Sequence, residues 1–248
     1  MAAPLTSLDE GRLFGRRLGP GPPRVVALHG WGRDSSDFVE ALSGLPALAV
    51  DLPGFGASPA PGEPIGAAGY LEHLDPVFDH LRQPVVLVGH SFGGRVALAA
   101  AVARADQVGG LVLIGVPLLR AGTRSRTRPG YRAIRLAHRF GLVSDAQLEQ
   151  ARRRYGSPDY RAAQGVMRQV LVRAVNETYE HELSRLSVPT RLVWGTDDRE
   201  VPVTVARRAM GLIPDGLAEL VEVPGGGHHL PTTHPGVVRE VVTRMMEG

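Results

Sequence analysis

The sequence predicts an α/β fold in which helices cover both faces of a doubly wound, mostly parallel sheet. The chain of 248 residues is long enough for one such domain with a substantial core. Its apolar residues fall in short continuous runs rather than in alternation, which is typical of strands buried on both faces. Segments of helical pattern separate these runs, as in a parallel sheet. The predicted strands are Val25–Leu28, Leu48–Val50, Val85–Val88, Leu111–Ile114, Arg191–Trp194 and Leu217–Val223.

The remaining strand and the helices that cover the sheet are predicted from the spacing of apolar residues and from glycine and proline, which end such elements. Arg12–Leu18 alternates loosely and is expected to be an edge strand, ended by the Gly/Pro-rich segment 19–23. Pro76 is expected to bend the second of the helices that cover the sheet. These helices are predicted at Ser35–Leu42, Tyr70–Leu81, Phe92–Ala103, Thr204–Leu212 and Pro235–Met246.

Residues 117–187 interrupt the alternation of strands and helices. No strand pattern is present there, and helices are predicted at Tyr131–Phe140, Asp145–Arg154 and Pro158–Asn176. The third carries an apolar stripe that either packs in the core or also roofs a pocket. We therefore expect a core domain formed by residues 1–116 and 188–248, with a helical cap of residues 117–187 inserted between two strands.

Composition excludes several classes of protein. The absence of cysteine excludes disulfides and thiolate chemistry and fits a cytoplasmic location. The first residues show no basic region followed by an apolar stretch, so no signal peptide is expected. The apolar runs are too short to span a bilayer. Oligomeric state is left open.

The distribution of charge singles out the predicted cap. All 28 basic residues are arginine, and segment 120–173 holds 13 of them against three acids, a balance of +10. The rest of the chain has 15 arginines and 22 acids, a balance of −7. This asymmetry favours an anionic substrate or surface, unless the arginines pair with acids and face solvent. A nucleic-acid partner is not expected, because the arginines lie in predicted helices without interleaved aromatic residues.

The segment Gly89–Gly93 contains the pattern Gly-x-Ser-x-Gly around Ser91. An apolar strand precedes it and an alanine-rich helix follows, which is the strand–turn–helix context of a nucleophile elbow. Such a turn strains the serine backbone and leaves no room for side chains two residues away, which explains the glycines. We predict that Ser91 is a nucleophile and that the backbone N–H of Phe92 helps to bind an oxyanion.

A serine nucleophile needs a base, and the base needs an orienting group. After the predicted strand 191–194 the chain offers Asp197 and Asp198, and after strand 217–223 it offers His228 and His229. The order Ser, acid, His and the position after strand ends both suit a catalytic triad.

These features together resemble the α/β-hydrolase superfamily, in particular its capped esterases and carbon–carbon-bond hydrolases. The resemblance covers about residues 10 to 248. It rests on His29-Gly30-Trp31-Gly32, Asp51–Ser58, the Ser91 elbow, Gly195-x-x-Asp198-x-x-x-Pro202 and Gly227-His228.

The resemblance assigns roles to individual residues. It implies that Asp198 is the acid, with Asp197 as the alternative, and that His228 rather than His229 is the base. It places the second oxyanion donor at the backbone N–H of Trp31. His29 and His90 are expected to make structural hydrogen bonds.

The predicted function is hydrolysis of a carboxylic ester, or a related small acyl substrate, through an acyl-enzyme formed on Ser91. A carbon–carbon-bond hydrolase with the same triad, or a ligand-binding member with slow turnover, are the alternatives. Epoxide or haloalkane hydrolysis is rejected because the resemblance would then require an aspartate at position 91. No metal-binding or dinucleotide-binding pattern is present, so neither a metal nor another cofactor is expected.

Overall fold

An eight-stranded sheet forms the centre of the structure, a computed structural model that describes residues 3–120, 129–155 and 158–247. The strands are β1 (Leu5–Asp9), β2 (Leu13–Arg17), β3 (Val25–Leu28), β4 (Ala47–Asp51), β5 (Val85–His90), β6 (Val108–Ile114), β7 (Thr190–Gly195) and β8 (Ala218–Val223). Their spatial order is β1-β2-β4-β3-β5-β6-β7-β8. The pairs β1–β2 and β2–β4 are antiparallel, and all other pairs are parallel. The predicted fold class is confirmed.

Helices cover both faces of the sheet and build an apolar core on each. In β3, Val26 and Leu28 face one core while Val25 and Ala27 face the other, because successive side chains of a strand alternate. The helices are α1 (Val39–Leu42), α2 (Tyr70–Phe78), α3 (Ser91–Ala103), α4 (Pro129–Arg139), α5 (Asp145–Tyr155), α6 (Pro158–Ala162), α7 (Gly165–Ala174), α8 (Glu180–Ser184), α9 (Thr204–Met210), α10 (Leu230–Thr233) and α11 (Pro235–Glu247).

The N-terminal edge of the sheet differs from the prediction. Strand β2 corresponds to the predicted edge strand, but it is the second strand of the sheet. The edge is formed by β1, which is not among the predicted strands. The two strands make a hairpin whose turn holds Glu10 at φ 40° and Gly11 at φ 83°. The side chains of β1 are exposed or half-buried, so its sequence carries no burial pattern from which a strand could be predicted.

All described elements between β6 and β7 are helices, α4 to α8. The prediction of one helix over Pro158–Asn176 is wrong, because the structure has two separate helices there, α6 and α7. There Gln164 is extended and Gly165 has a φ of +51°, neither of which continues a helix. In α2, Pro76 lies inside the helix, which ends at Phe78 rather than Leu81.

Helix α7 is fixed to the core at both of its ends. Near its start, the Met167 thioether covers Gly54 so closely that a Cβ there would lie 2.3 Å from the sulfur. At its end, the buried Arg95 guanidinium of α3 donates to the carbonyl of Ala174. A cation at this position also suits the negative end of the helix dipole. None of the described helices is long and apolar enough to cross a membrane.

Candidate active site

Ser91 occupies the turn from β5 into α3 with a φ of +49°, a strained value for a residue other than glycine. The glycines around it allow this turn because they lack a Cβ. A Cβ on Gly89 would lie 2.4 Å from the Cα of Gly94, and one on Gly93 would lie 2.3 Å from the carbonyl oxygen of Leu28. The predicted elbow is therefore present, with the serine at the carboxyl end of β5.

His228 and Asp198 follow the ends of β8 and β7, and the structure brings both to Ser91. The Nε2 of His228 is 3.0 Å from the Ser91 Oγ, and its Nδ1 is 2.8 Å from Oδ2 of Asp198. Both side chains are buried, while Ser91 is half-buried. The three side chains thus form one continuous hydrogen-bonded chain.

The alternative acid, Asp197, does not line the cavity, whereas the alternative base, His229, lies beside His228 and lines it. Asp197 is exposed, and its carboxylate accepts a hydrogen bond from the Thr196 hydroxyl. The other oxygen of Asp198, in contrast, accepts the backbone N–H groups of Glu200 and Val201 at 2.9 and 2.8 Å. The carboxylate that contacts the histidine is therefore itself held in place.

His228 has a raised pKa. Burial alone would lower its pKa, but the hydrogen bond and charge of Asp198, together with the charges of Glu200 and Asp159, outweigh burial. The imidazolium that forms when the histidine accepts a proton is thereby stabilised.

His29 orients the loop that carries the second candidate oxyanion donor. Its Nε2 accepts the N–H of Leu52 at 3.0 Å, and its Nδ1 therefore donates to the Gly30 carbonyl at 2.8 Å. Because the peptide is trans, the N–H of Trp31 points away from that carbonyl. The N–H of Phe92 lies in the first turn of α3, where helix N–H groups have no intrahelical acceptor.

His90 supports His228 from behind. Its Nε2–H donates to the His228 carbonyl at 2.9 Å, and the two rings lie 5.0 Å apart. Burial and the neighbouring His228 lower the pKa of His90 to about 3, so the ring is neutral at ordinary pH. This agrees with the structural role expected for it.

The cavity in front of Ser91 is small, with a volume of about 280 Å³. The rings of Trp31, Phe55 and Phe92 pack against one another beside it, with centroids 4.9 to 5.9 Å apart. Its ionisable lining residues are Arg33, His90, Asp159, Glu200, His228 and His229.

Sequence reasoning missed Glu200 and Asp159. Glu200 could have been considered because it lies two residues after the predicted acid, but its neighbours Asp197 and Arg199 do not line the cavity, so sequence distance alone does not single it out. Asp159 carries no such signal, because only the tertiary position of α6 places it at the cavity. Three arginines at the start of the predicted cap, Arg124, Arg126 and Arg128, lie outside the described residues.

No group of three or more potential metal ligands is found within the described ranges. The site combines a serine, a histidine and a carboxylate in hydrogen-bonded order with two candidate N–H donors. This set can activate a hydroxyl nucleophile and stabilise developing negative charge.

Comparison with known proteins agrees with this chemistry. A family model described as alpha/beta hydrolase family matches residues 25–241. The chain is 30% identical to a 2-hydroxy-6-oxononadienedioate/2-hydroxy-6-oxononatrienedioate hydrolase of Cupriavidus pinatubonensis, with 83% of this chain and 81% of that protein aligned. It is also 30% identical to a pimeloyl-[acyl-carrier protein] methyl ester esterase of Chromobacterium violaceum, with 87% and 91% aligned.

A solved structure shows the same fold. The crystal structure of a serine hydrolase involved in carbazole degradation has a TM-score of 0.70 and 24% identity, covering 95% of this chain and 94% of that one.

Proposed function

The chain belongs to the alpha/beta hydrolase family, and on that premise we propose that it is a serine hydrolase that cleaves a carboxylic ester through an acyl-enzyme. The observation that carries this proposal is the hydrogen-bonded chain from Asp198 through His228 to Ser91. A buried carboxylate, an imidazole and a serine in this order can act as orienting group, base and nucleophile.

Each residue then has a defined part in the reaction. His228 Nε2 accepts the Ser91 proton as the oxygen attacks the ester carbonyl, and it later gives that proton to the leaving alcohol. Asp198 holds the ring in the tautomer that leaves Nε2 free, and it stabilises the imidazolium. The N–H groups of Trp31 and Phe92 bind the oxyanion; the loss of one such donor costs about 3–4 kcal/mol of barrier. Water then attacks the acyl-enzyme by the reverse proton path and releases the acid.

A carbon–carbon-bond hydrolase remains the second candidate, because the Cupriavidus relative is named for dioate substrates. The Asp159 and Glu200 carboxylates at the cavity favour the ester over a dicarboxylate, since like charges repel. A third candidate, a ligand-binding member with slow turnover, would keep the same geometry and differ only in rate.

The test combines labelling with a substrate panel. A fluorophosphonate should add mass to Ser91 in the wild type and not in Ser91→Ala, because only an activated serine reacts readily with it. Short acyl esters should be hydrolysed in steady state, and a 1,5-diketone dicarboxylate should not. Labelling at another residue would overturn the mechanism. Faster cleavage of the diketone would select the second candidate. Labelling without steady-state turnover on any substrate would select the third.

A further inference from the structure

Glu200 lies beside the atom of His228 that faces the substrate. Its Oε2 is 3.7 Å from His228 Nε2, and its Oε1 is 4.0 Å from Nε2 of His229. The Glu200 side chain is 64% exposed, so it borders the open side of the cavity rather than the core.

The backbone of Glu200 is fixed by the site itself. Its N–H donates to Oδ1 of Asp198, the same carboxylate whose other oxygen holds His228. The position of the glutamate is therefore coupled to the histidine. Arg199, which precedes it, is exposed and is not among the residues that line the cavity.

The described lining carries a net negative charge. Its one described guanidinium, that of Arg33, makes a two-pronged ion pair with the buried Asp37 through Nε, at 2.9 and 3.0 Å, and also through Nη2. This pair is neutral as a unit. The carboxylates of Asp159 and Glu200 remain, and both face His228 closely enough for their charges to act on it.

The position of Glu200 identifies the part of the substrate that it meets. His228 Nε2 must come within hydrogen-bond distance of the leaving oxygen to protonate it. A carboxylate 3.7 Å from that nitrogen therefore lies on the alcohol side of the ester, not on the acyl side. We propose that Glu200 is a specificity-determining residue that selects esters of a cationic alcohol over those of a neutral or anionic one. This rests on the proposed ester hydrolysis.

The test uses three acetate esters of similar size, made from choline, from 3,3-dimethylbutanol, its neutral isostere, and from the anionic 4-hydroxybutanoate. At about pH 8, above the ordinary histidine range, the wild type should show kcat/KM for the choline ester about three- to tenfold above that for the neutral one. The kcat/KM for the acetate ester of 4-hydroxybutanoate should be lower than that for either of the other two esters. These factors follow from one unit charge acting across roughly 6 Å in a partly solvated site.

Glu200→Gln should lower the choline-to-neutral ratio toward one while the neutral ester is still hydrolysed, with Asp159 as the one lining carboxylate that remains among the described residues. Asp197→Asn is the matched control, because it removes one charge from the same loop at a residue that does not line the cavity. Its ratio should stay at the wild-type value. The choline-to-neutral ratio is also to be measured with two methylphosphonates whose leaving alcohols are choline and 3,3-dimethylbutanol. Here the ratio compares the rates at which the two compounds modify Ser91, a measurement that requires no turnover.

The results distinguish a wrong role for Glu200 from a wrong proposal of ester hydrolysis. If the neutral ester is hydrolysed but the ratio is one or less, or is unchanged in Glu200→Gln, the role of Glu200 is wrong and ester hydrolysis stands. If no ester is hydrolysed and Ser91 is not modified by either phosphonate, both fail.

Discussion

Asp197 and Asp198 are adjacent in the sequence, but the side chain of Asp197 is exposed and that of Asp198 is buried. Only Asp198 is oriented toward His228, and three hydrogen bonds hold its carboxylate. Asp198→Asn should lower kcat by orders of magnitude, about 10⁴ by analogy with serine proteases, because the amide cannot fix the required tautomer. Asp197→Asn should stay within a few-fold of wild type. Steady-state kinetics on one neutral ester measure both, and the reverse ranking would move the acid to Asp197.

The protonation of His228 should set the pH dependence. The neutral ring is the base, so kcat/KM must fall as pH drops through its pKa. Asp198, Glu200 and Asp159 raise that pKa above 6.5, and His90, itself neutral, adds no opposing positive charge at ordinary pH. The acidic limb of the profile should therefore lie above pH 6.5.

Glu200→Gln should move this limb to lower pH, because one of the charges that stabilise the imidazolium is removed. Asp197→Asn should leave the limb in place. A profile that is flat between about pH 5 and 8 in single-turnover measurements would contradict a histidine base.

The hydrogen-bonded set of Ser91, Asp198 and His228 could be predicted from the sequence, but the carboxylate of Asp159 at the cavity could not. Ser91, Asp198 and His228 each follow a recognisable strand, and a parallel sheet brings such strand ends to one edge. Asp159, in contrast, lies on the separate short helix α6, and the periodicity of a sequence does not predict where such a helix packs.

At the level of elements, the turn between β5 and α3 depends on close backbone contact. A Cβ on Gly93 would lie 2.3 Å from the Leu28 carbonyl oxygen and 2.5 Å from that of His29. Gly93→Ala should lower the free energy of unfolding by about 1–3 kcal/mol, because the backbone at the end of β3 cannot rotate away as a side chain can. It should also lower activity.

Gly236→Ala provides the control, since Gly236 lies in a helix, α11, and a Cβ added there would meet no atom within 4 Å. That change should leave stability equal or raise it by up to about 1 kcal/mol. Denaturant unfolding of both variants tests the contrast. Equal stability of the two would mean that the elbow tolerates a side chain.

Strands buried on both faces are predicted well, because each of them appears in the sequence as a continuous apolar run. Strand β1 is missed because its five residues, LTSLD, show neither a continuous apolar run nor an apolar–polar alternation. The single helix predicted over 158–176 is wrong because Gln164 and Gly165 leave the helical region. Six of the eight strands therefore follow from continuous apolar runs and β2 follows from its loose alternation, whereas strand β1 and the helix break depend on tertiary contacts.

At the level of the whole molecule, we expect two charge effects of different range at the site. The excess of arginine in segment 120–173 should act over long distance and be screened by salt, with a Debye length of about 10 Å at 0.1 M. The effect proposed for Glu200 on the alcohol acts across a few ångströms and should be screened less. A carboxylate at the far end of the acyl chain is removed from Glu200 and should therefore report mainly the long-range field.

We expect kcat/KM for such an acyl-side carboxylate ester to fall as ionic strength rises, while that of its neutral isostere changes little. Replacing Arg124, Arg126 and Arg128 together by glutamine should remove this difference, because they are the densest basic group at the start of the segment. Both esters are to be measured from low salt to about 0.5 M, where the Debye length falls to a few ångströms. The Glu200→Gln variant should keep the salt dependence and lose only the preference for a cationic alcohol. An equal response of the two acyl esters to salt and to the triple variant would show that the arginines do not steer the substrate.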